Sequence, residues 1–596
     1  MSGLGSVLSI AKEALAIQMY GIEVASHNVA NVNTDGYSRQ TPVIESRQPA
    51  PRSGLVFGTG AAIDDILRAY DRFAETRLNE RNADLMSMSE KEVYMGVLEG
   101  IFNEGAEGNL GKQLTEFWNA WHDLADNPAG LSERYLLSQN GDLLAQSFQG
   151  LASDMVQSSR EISASIDAGV KRINQLTSEL ADLDRQIVAL QGIGNPNDLK
   201  DKRNTLLREI SNYLDVKSFE SETGNMTVIT KGGFTLVDKG YAYQLDTYGD
   251  DIRWESSGGS YVTINDSIKG GKLAGWLDIR DAIIPQYQAQ LDELAQTTIW
   301  EVNKIHSLGA GSVLFQPGET LSGTYATLTD LGDLDFSSRV DFTKSFQLWI
   351  GDADGKNLQQ ITIDLDFAGR DVTAGSTMAD LRDSINAQIA SQKPSLAGAV
   401  SAGLSSSGDR LTFTADDSHT FAFSDDASNL LAALGINTFF KGNDAATMGI
   451  NDLLDTHKSY IAAARIDSAT GDFAVGDNTN ALEMANLQYK GLTMNQWTYA
   501  RGSTPASEDI NGITIENYLY LFLGSIGIQS QSIQMAKQHY ELIVEQLTET
   551  RDNLSAVSLD EEMADLIKYQ HAFTAAAKLI TTADEMLKTL LDIKSI

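Results

Sequence analysis

Apolar positions recur every seven residues at both ends of this chain, while the stretch between them follows other rhythms. Near the start, Leu8, Leu15, Ile22 and Val29 keep that spacing, with Leu4, Ala11, Gln18 and Ala25 at the offset position. At the far end Leu559, Met563, Leu566, Phe573, Ala577, Ile580, Leu587 and Leu591 advance in steps of three, four and seven. Such a seam predicts coiled-coil-like helices that must bury it against another helix. Leu8, Leu15, Ile22 and Val29 are expected to pack with Met563, Leu566, Phe573 and Ile580. The plain alternative is a buried helix pair within a monomer. Gln570 and Asp584 fall at core-type heptad positions, where a polar group costs stability but fixes register and partner choice. That pattern suits helices that order fully only on docking.

The first helix is predicted over about 2–29, closing through Asn28, Asn31 and Asn33 into Thr34-Asp35-Gly36-Tyr37, where asparagine and Gly36 tolerate left-handed backbone. Helix is predicted again from about 63 to 101. A short helix over 110–125 carries Phe117, Trp118 and Trp121 on one face, read as core. A long one over 131–191 keeps Ile166, Ile173, Leu176, Leu180, Leu183, Ile187 and Leu190 in coiled-coil register, and a shorter one over 199–214 turns back. The period then shifts to two over about 216–277, read as a β patch, before helix returns over 277–307. In the Gly-, Ser-, Thr- and Asp-rich stretch 310–475, Phe346, Leu348 and Ile350 alternate into a turn and Ile361, Ile363 and Leu365 alternate out of it, a hairpin. From Thr479 onward the chain reads as mostly helical, with Ile533, Tyr540, Leu547 and Leu554 seven apart. The fold class expected is mainly α with β additions and several nested domains. They are a terminal helical assembly domain (1–60 with 540–596), a helical core with the β patch (61–310 with 476–539), and an inserted α+β outer domain (311–475).

Composition narrows the chemistry. The 596 residues are too many for one core. With 45 basic against 81 acidic residues the formal charge is −36, a surface that repels nucleic acid and anionic lipid. No cysteine is present, which removes disulfides, thiolate nucleophiles and Cys-based zinc sites. Residues 1–10 lack a basic residue, and Lys12 and Glu13 interrupt the apolar run, so no cleaved secretory leader is expected. No window reaches the length of a membrane span.

Candidate sites each have a plainer explanation. Asp352, Asp354, Gly355 and Asn357 hint at a calcium loop, yet Ile363 stands where an EF-hand needs its bidentate carboxylate. The seven histidines never take a metal-binding helical spacing. Asp560, Glu561 and Glu562 suit the start of a helix, with Ser558 or Asp560 as cap. No catalytic, cofactor-binding or metal residue is assigned.

Ala25-Ser26-His27-Asn28-Val29-Ala30-Asn31-Val32-Asn33-Thr34-Asp35-Gly36-Tyr37 resembles the N-terminal signature of flagellar rod, hook and hook-associated proteins, and the continuation Ser38-Arg39-Gln40 resembles their hook-associated branch. Ser558-Leu559-Asp560-Glu561-Glu562-Met563, Leu566-Ile567-Lys568-Tyr569-Gln570 and Ala583-Asp584-Glu585-Met586-Leu587 are similar to the C-terminal signature. Arg68-Ala69-Tyr70-Asp71-Arg72-Phe73, Phe102-Asn103-Glu104, Gly270-Gly271-Lys272-Leu273 and Gly476-Asp477-Asn478-Thr479-Asn480-Ala481 agree in order. Asp35 stands where proline is common, and Ala556 where glycine is. The likeness covers about 1–310 and 475–596; the intervening module varies in such proteins.

The resemblance implies a structural adaptor and not an enzyme, exported unfolded by the flagellar type III route and placed outside the cell where hook meets filament. Implied partners are copies of itself in a ring, the hook protein, the next hook-associated protein on the filament side, and an export chaperone. No nucleic acid, membrane insertion or cofactor is implied. The assembly surface would be Leu8, Leu15, Ile22, Val29, Met563, Leu566, Phe573, Ile580 and Leu587, with Asn28, Asn31, Asn33, Gly36 and Tyr37 as the motif turn. The rival readings are an extracellular enzyme or adhesin working through 310–475, and another axial protein such as the hook protein or a flagellin.

Overall fold

The computed structural model describes residues 2–52, 55–103, 105, 109–221, 224–256, 258–367 and 369–594. In chain order, α1 (Ser2–Ala30) leads to β1 (Gln40–Ser46), a small hairpin of β2 (Ala50–Arg52) and β3 (Leu55–Phe57), and β4 (Ala61–Arg68), which returns antiparallel to β1. Next come α2 (Arg72–Ile101), α3 (Leu110–Asp126), α4 (Leu131–Leu190) and α5 (Asn197–Tyr213). Two small antiparallel sheets over 216–263 precede α6 (Gly271–Asp278), a π turn at Ile279–Ile283, and α7 (Ile284–His306). The α+β stretch that follows holds α8 (Met378–Gln392), α9 (Leu430–Leu434) and α10 (Asp452–Thr456). The chain ends through α11 (Thr479–Asn486), a ribbon of strands Leu492–Thr498 and Ala506–Ile513, α12 (Ile515–Ser555) and α13 (Leu559–Lys594). The fold is mainly α with small β additions, as the sequence pattern predicts.

Two compact units result. One gathers Met1–Tyr94, Glu161–Ile279 and Gln531–Ile596; the other gathers Met95–Arg160 and Arg280–Ser530. In the first, the heptad of α4 forms the spine of the core: Ile162, Ile166, Ile173, Leu176, Leu180 and Ile187 are all buried. Helices α4 and α6 meet closely at Gly169, where a Cβ would lie 2.8 Å from the Trp276 ring. Arg203 is wholly buried, held by Glu220 at 2.9 Å and donating to the Gly224 carbonyl at 3.1 Å, with Asp184 at 3.4 Å. Leu190, the last residue of the expected register, is exposed at the end of the helix.

The second unit buries Phe117, Trp118 and Trp121 of α3 completely, as the expected core face, against Phe439 and Phe440. His306 joins them: one ring nitrogen meets the Asn437 carbonyl at 2.8 Å and the other accepts from the Ala462 amide at 2.9 Å. Burial first, with the nearby Arg134 cation adding, lowers the His306 pKa to about 4. The expected hairpin pairs Ser345–Asp352 with Gln359–Asp364 and buries Leu348, Ile350, Ile361 and Ile363. In its turn Asp352 accepts from the Asp354 and Lys356 amides and the Asn357 side chain, so its oxygens serve the turn.

Two stretches differ from the pattern reading. Residues 61–68 form a strand and not the start of a helix. Ala61 and Ala62 are strong helix formers, but propensity yields to tertiary pairing: β1 satisfies the backbone groups of this stretch along seven residue pairs, bulged at Val43/Ile44. Residues 492–513 form a two-stranded ribbon inside a region read as helical; its alternating strand Leu492, Met494 faces inward while the turn at 499–505 carries Gly502 at positive φ.

Candidate assembly site

Helices α1 and α13 lie side by side and antiparallel, with Asn28 meeting Glu562 and Gly21 meeting Tyr569 one heptad further along. Small residues make the approach close. A Cβ on Gly21 would sit 2.7 Å from the Tyr569 ring, and Ala11, Ala25, Ala576 and Ala583 are buried. Ile17 and Val24 complete the buried face of α1. The deepest line on α13 is Glu562, Tyr569, Ala576 and Ala583, spaced by seven.

That line runs one residue away from the expected seam. Leu8, Leu15, Ile22 and Val29, together with Leu566, Phe573, Ile580 and Leu587, are half-buried along its flanks. Met563 is 52 % exposed, because Glu562 takes the inward position beside it. For the same reason Gln570 and Asp584, expected in the core, face solvent next to Tyr569 and Ala583. The side chain of Leu591 lies outside the described residues. Leu559, Ile567, Leu579 and Met586 are also exposed, leaving α13 with apolar surface beyond its contact with α1.

The motif turn closes this helix pair with a buried polar latch. Asn28, 1 % exposed, uses its whole amide: it donates to the Gln40 carbonyl and to Glu562, both at 2.9 Å, and accepts from the Gln40 amide at 3.0 Å and the Tyr37 hydroxyl at 2.7 Å. Only a side chain with adjacent donor and acceptor can pair with both groups of one backbone residue. Glu562 also accepts from Arg39 Nε at 2.6 Å, and the same guanidinium reaches Glu561 at 2.7 Å and Asp565 at 3.6 Å. Burial works against the Arg39 charge, but those carboxylates raise its pKa above the ordinary arginine value. Burial, then Asp198, Asp201 and Glu562, push the Tyr37 phenol up, so it remains a hydroxyl donor.

Helix α5 anchors the other side. Asp201 accepts from the Ser38 amide and hydroxyl at 2.9 and 2.8 Å and from Arg68 at 2.7 Å, while Asp198 accepts from Gln40 at 2.8 Å. Arg39 also donates its amide to the Ser555 carbonyl at 2.9 Å. Asn31 bonds back to His27, Asn33 is exposed, and Gly36 takes a φ of +77° with the Thr205 hydroxyl standing where a Cβ would go. Asp35 and Ala556 fit as they stand: Asp35 projects into solvent, and the Ala556 amide continues the end of α12 by donating to Asp552.

Of the expected residues, the structure brings Asn28 and Tyr37 into the latch and leaves Asn33 outside it. Arg39, Glu562 and Asp201 were not singled out as site residues. Glu562 suits the first turn of α13, yet its signal was stronger than that: a carboxylate in heptad step with Tyr569, Ala576 and Ala583 requires a partner.

Comparison with known proteins bears on the same elements. The sequence profile for the flagellar hook-associated protein FlgK helical domain matches residues 95–321, and that for the flagellar basal body rod FlgEFG protein C-terminal region matches residues 552–593. Flagellar hook-associated protein 1 of Bacillus subtilis is 24 % identical over 597 residues, covering 98 % of this chain and 97 % of its own. The protein of the same description from Escherichia coli is 22 % identical over 615 residues, covering 99 % and 100 %. A solved structure, the flagellar hook junction protein FlgK from Burkholderia pseudomallei, superposes with a TM-score of 0.48 at 18 % identity over 81 % of this chain and 100 % of that one. Both profiles match in order and the curated relatives align along the whole length, so the chain is similar from end to end to flagellar hook-associated protein 1.

Proposed function

We propose that this chain is a structural subunit of the bacterial flagellum that joins hook to filament. The observation that carries the reading is that the likeness to hook-associated protein 1 runs end to end and includes both helices of the latched pair. In this role the subunit stands outside the cell, forms a ring with its own copies, and presents one face to the hook protein and the other to the next hook-associated protein. Before export an accessory chaperone holds it unfolded. Apolar surface left on α1 and α13 drives joining, at about 25 cal/mol per Å2 removed from water. Ordering chain segments opposes it at about 1–2 kcal/mol per residue. The work is mechanical, and no reaction is assigned to any residue.

Deleting the gene from its host and viewing the cells by electron microscopy tests this. Hooks without filaments, with filament protein shed into the medium and full rescue by the intact chain, are expected. Normal filaments on the deletion strain refute it.

A further inference from the structure

Asparagine is followed by glycine twice in this chain, at Asn140-Gly141 and at Asn511-Gly512. In such a pair the next backbone nitrogen can attack the side-chain carbonyl carbon, because glycine has no Cβ to block the approach and a wide choice of backbone angles. Folding decides whether the attack is possible, and the two pairs have opposite surroundings.

Asn140 lies inside α4, where the Gly141 amide belongs to the helical ladder. A Cβ on Gly141 would sit 2.8 Å from the Phe439 ring, so packing pins this backbone. The Asn140 side chain donates to the Glu116 carbonyl at 3.3 Å, which holds its nitrogen. Closing a five-membered ring there would require opening that turn of helix.

Asn511 and Gly512 are both exposed, near the end of the strand Ala506–Ile513. The ribbon pairs Thr493 with Asn511 and Leu492 with Ile513, so Gly512 is the extra residue of a bulge and has no partner in the ladder. It takes a φ of +74°, and no atom beyond its chain neighbours comes within 4 Å of where its Cβ would be. The Asn511 side chain is set up for attack. Its Oδ1 accepts from the Thr493 hydroxyl at 2.8 Å, a bond that draws electron density from Cγ and strengthens as negative charge develops on the oxygen. Among the described residues nothing accepts from its Nδ2, so the leaving nitrogen is not held.

We propose that Asn511 is a site of spontaneous deamidation, promoted by the Thr493 hydroxyl. The Gly512 nitrogen bonds to Asn511 Cγ, the Cγ–Nδ2 bond breaks, and ammonia leaves with the Gly512 amide proton, carried to it by water. A second water then opens the cyclic imide at one carbonyl to give aspartate, or at the other to give isoaspartate, whose main chain runs through Cγ. Either product adds a negative charge, and the isoaspartyl form lengthens the backbone at a point already out of register. On a subunit that stands outside the cell the product builds up with age. That consequence rests on the proposed flagellar role, whereas the reaction does not.

The test incubates the purified full-length protein at neutral pH and follows the peptides containing Asn140 and Asn511 by mass spectrometry against a zero-time digest. Isoaspartate is counted separately by methyl transfer with isoaspartyl methyltransferase. Conversion is expected at Asn511 and not at Asn140 in the folded chain, and at both in the chain unfolded in urea. Thr493→Val should slow conversion at Asn511 about fivefold, the worth of one neutral hydrogen bond. Asn511 as inert as Asn140 in the folded chain overturns the proposal. Equal or faster conversion in Thr493→Val overturns the role given to the hydroxyl.

Discussion

Glu562 and Glu561 are neighbours with the same chemistry and opposite surroundings, and removing each should have very different effects on α13. Glu562 has a side chain 3 % exposed and accepts one charge-assisted bond from Arg39 and one from Asn28; Glu561 is 63 % exposed and meets only Arg39. Glu562→Ala removes two hydrogen bonds to a carboxylate, one from Arg39 and one from the Asn28 amide, each about 1.5–3 kcal/mol. The total is about 3–6 kcal/mol, or about 150- to 25,000-fold in the equilibrium for lifting α13 away from α1. Glu561→Ala removes a surface pair worth about 0–1 kcal/mol, less than about sixfold. Trypsin reads this directly, because Lys568 and Lys578 are exposed on α13 and cleavage tracks the opening equilibrium when closing is fast. Initial rates of cleavage at these two sites, followed by mass spectrometry on the full chain, should rise about 150-fold or more for Glu562→Ala and little for Glu561→Ala. Equal rates in the wild type and both variants would mean that the latch is not closed in the free subunit, and the energetic account of the site would fail.

Gly21→Leu should separate α1 from α13 by forcing a side chain into the Tyr569 ring, costing about 1–3 kcal/mol and raising the same cleavage rates, whereas Gly5→Leu, with open space around it, should not. Gly36→Ala meets both the positive φ and Thr205, so about 1–3 kcal/mol should be lost from the motif turn, seen as faster amide exchange over residues 31–40. His306 has a folded pKa of about 4 against an ordinary 6.5, so the unfolded chain takes up the proton first on acidification. Its contribution is complete above pH 6.5 and is lost as pH falls toward 4, about 3 kcal/mol in all. Denaturant unfolding followed by Trp118 and Trp121 fluorescence should show that slope in the wild type and lose it in His306→Gln.

Sequence periodicity exposed much of this fold because long helices repeat their instructions. Ile166 through Ile187 in α4 and the Trp118/Trp121 face of α3 each report their own burial through spacing alone. The 61–68 strand did not, since its structure comes from pairing with β1, a partner that local propensity does not encode. At the candidate site the heptad located the right helices and, in Ala11 and Ala25, part of the buried face of α1, but put the seam of α13 one residue off. Large apolar residues dominate such a reading, whereas closest approach is set by the small ones, Gly21, Ala25, Ala576 and Ala583. Asn28 was legible as part of a turn; its role as a four-way connector depends on Gln40, Tyr37 and Glu562, brought together only by folding.

The pairing of α1 with α13 joins residues separated by 534 positions, as between Asn28 and Glu562. A chain delivered from one end thus presents its opening helix long before the mate of that helix arrives, and closing so large a loop comes late. The arm acts as a completeness check: a polypeptide cut short anywhere before Leu559 leaves Gly21 and the alanines of α1 facing water, with no second helix to cover them.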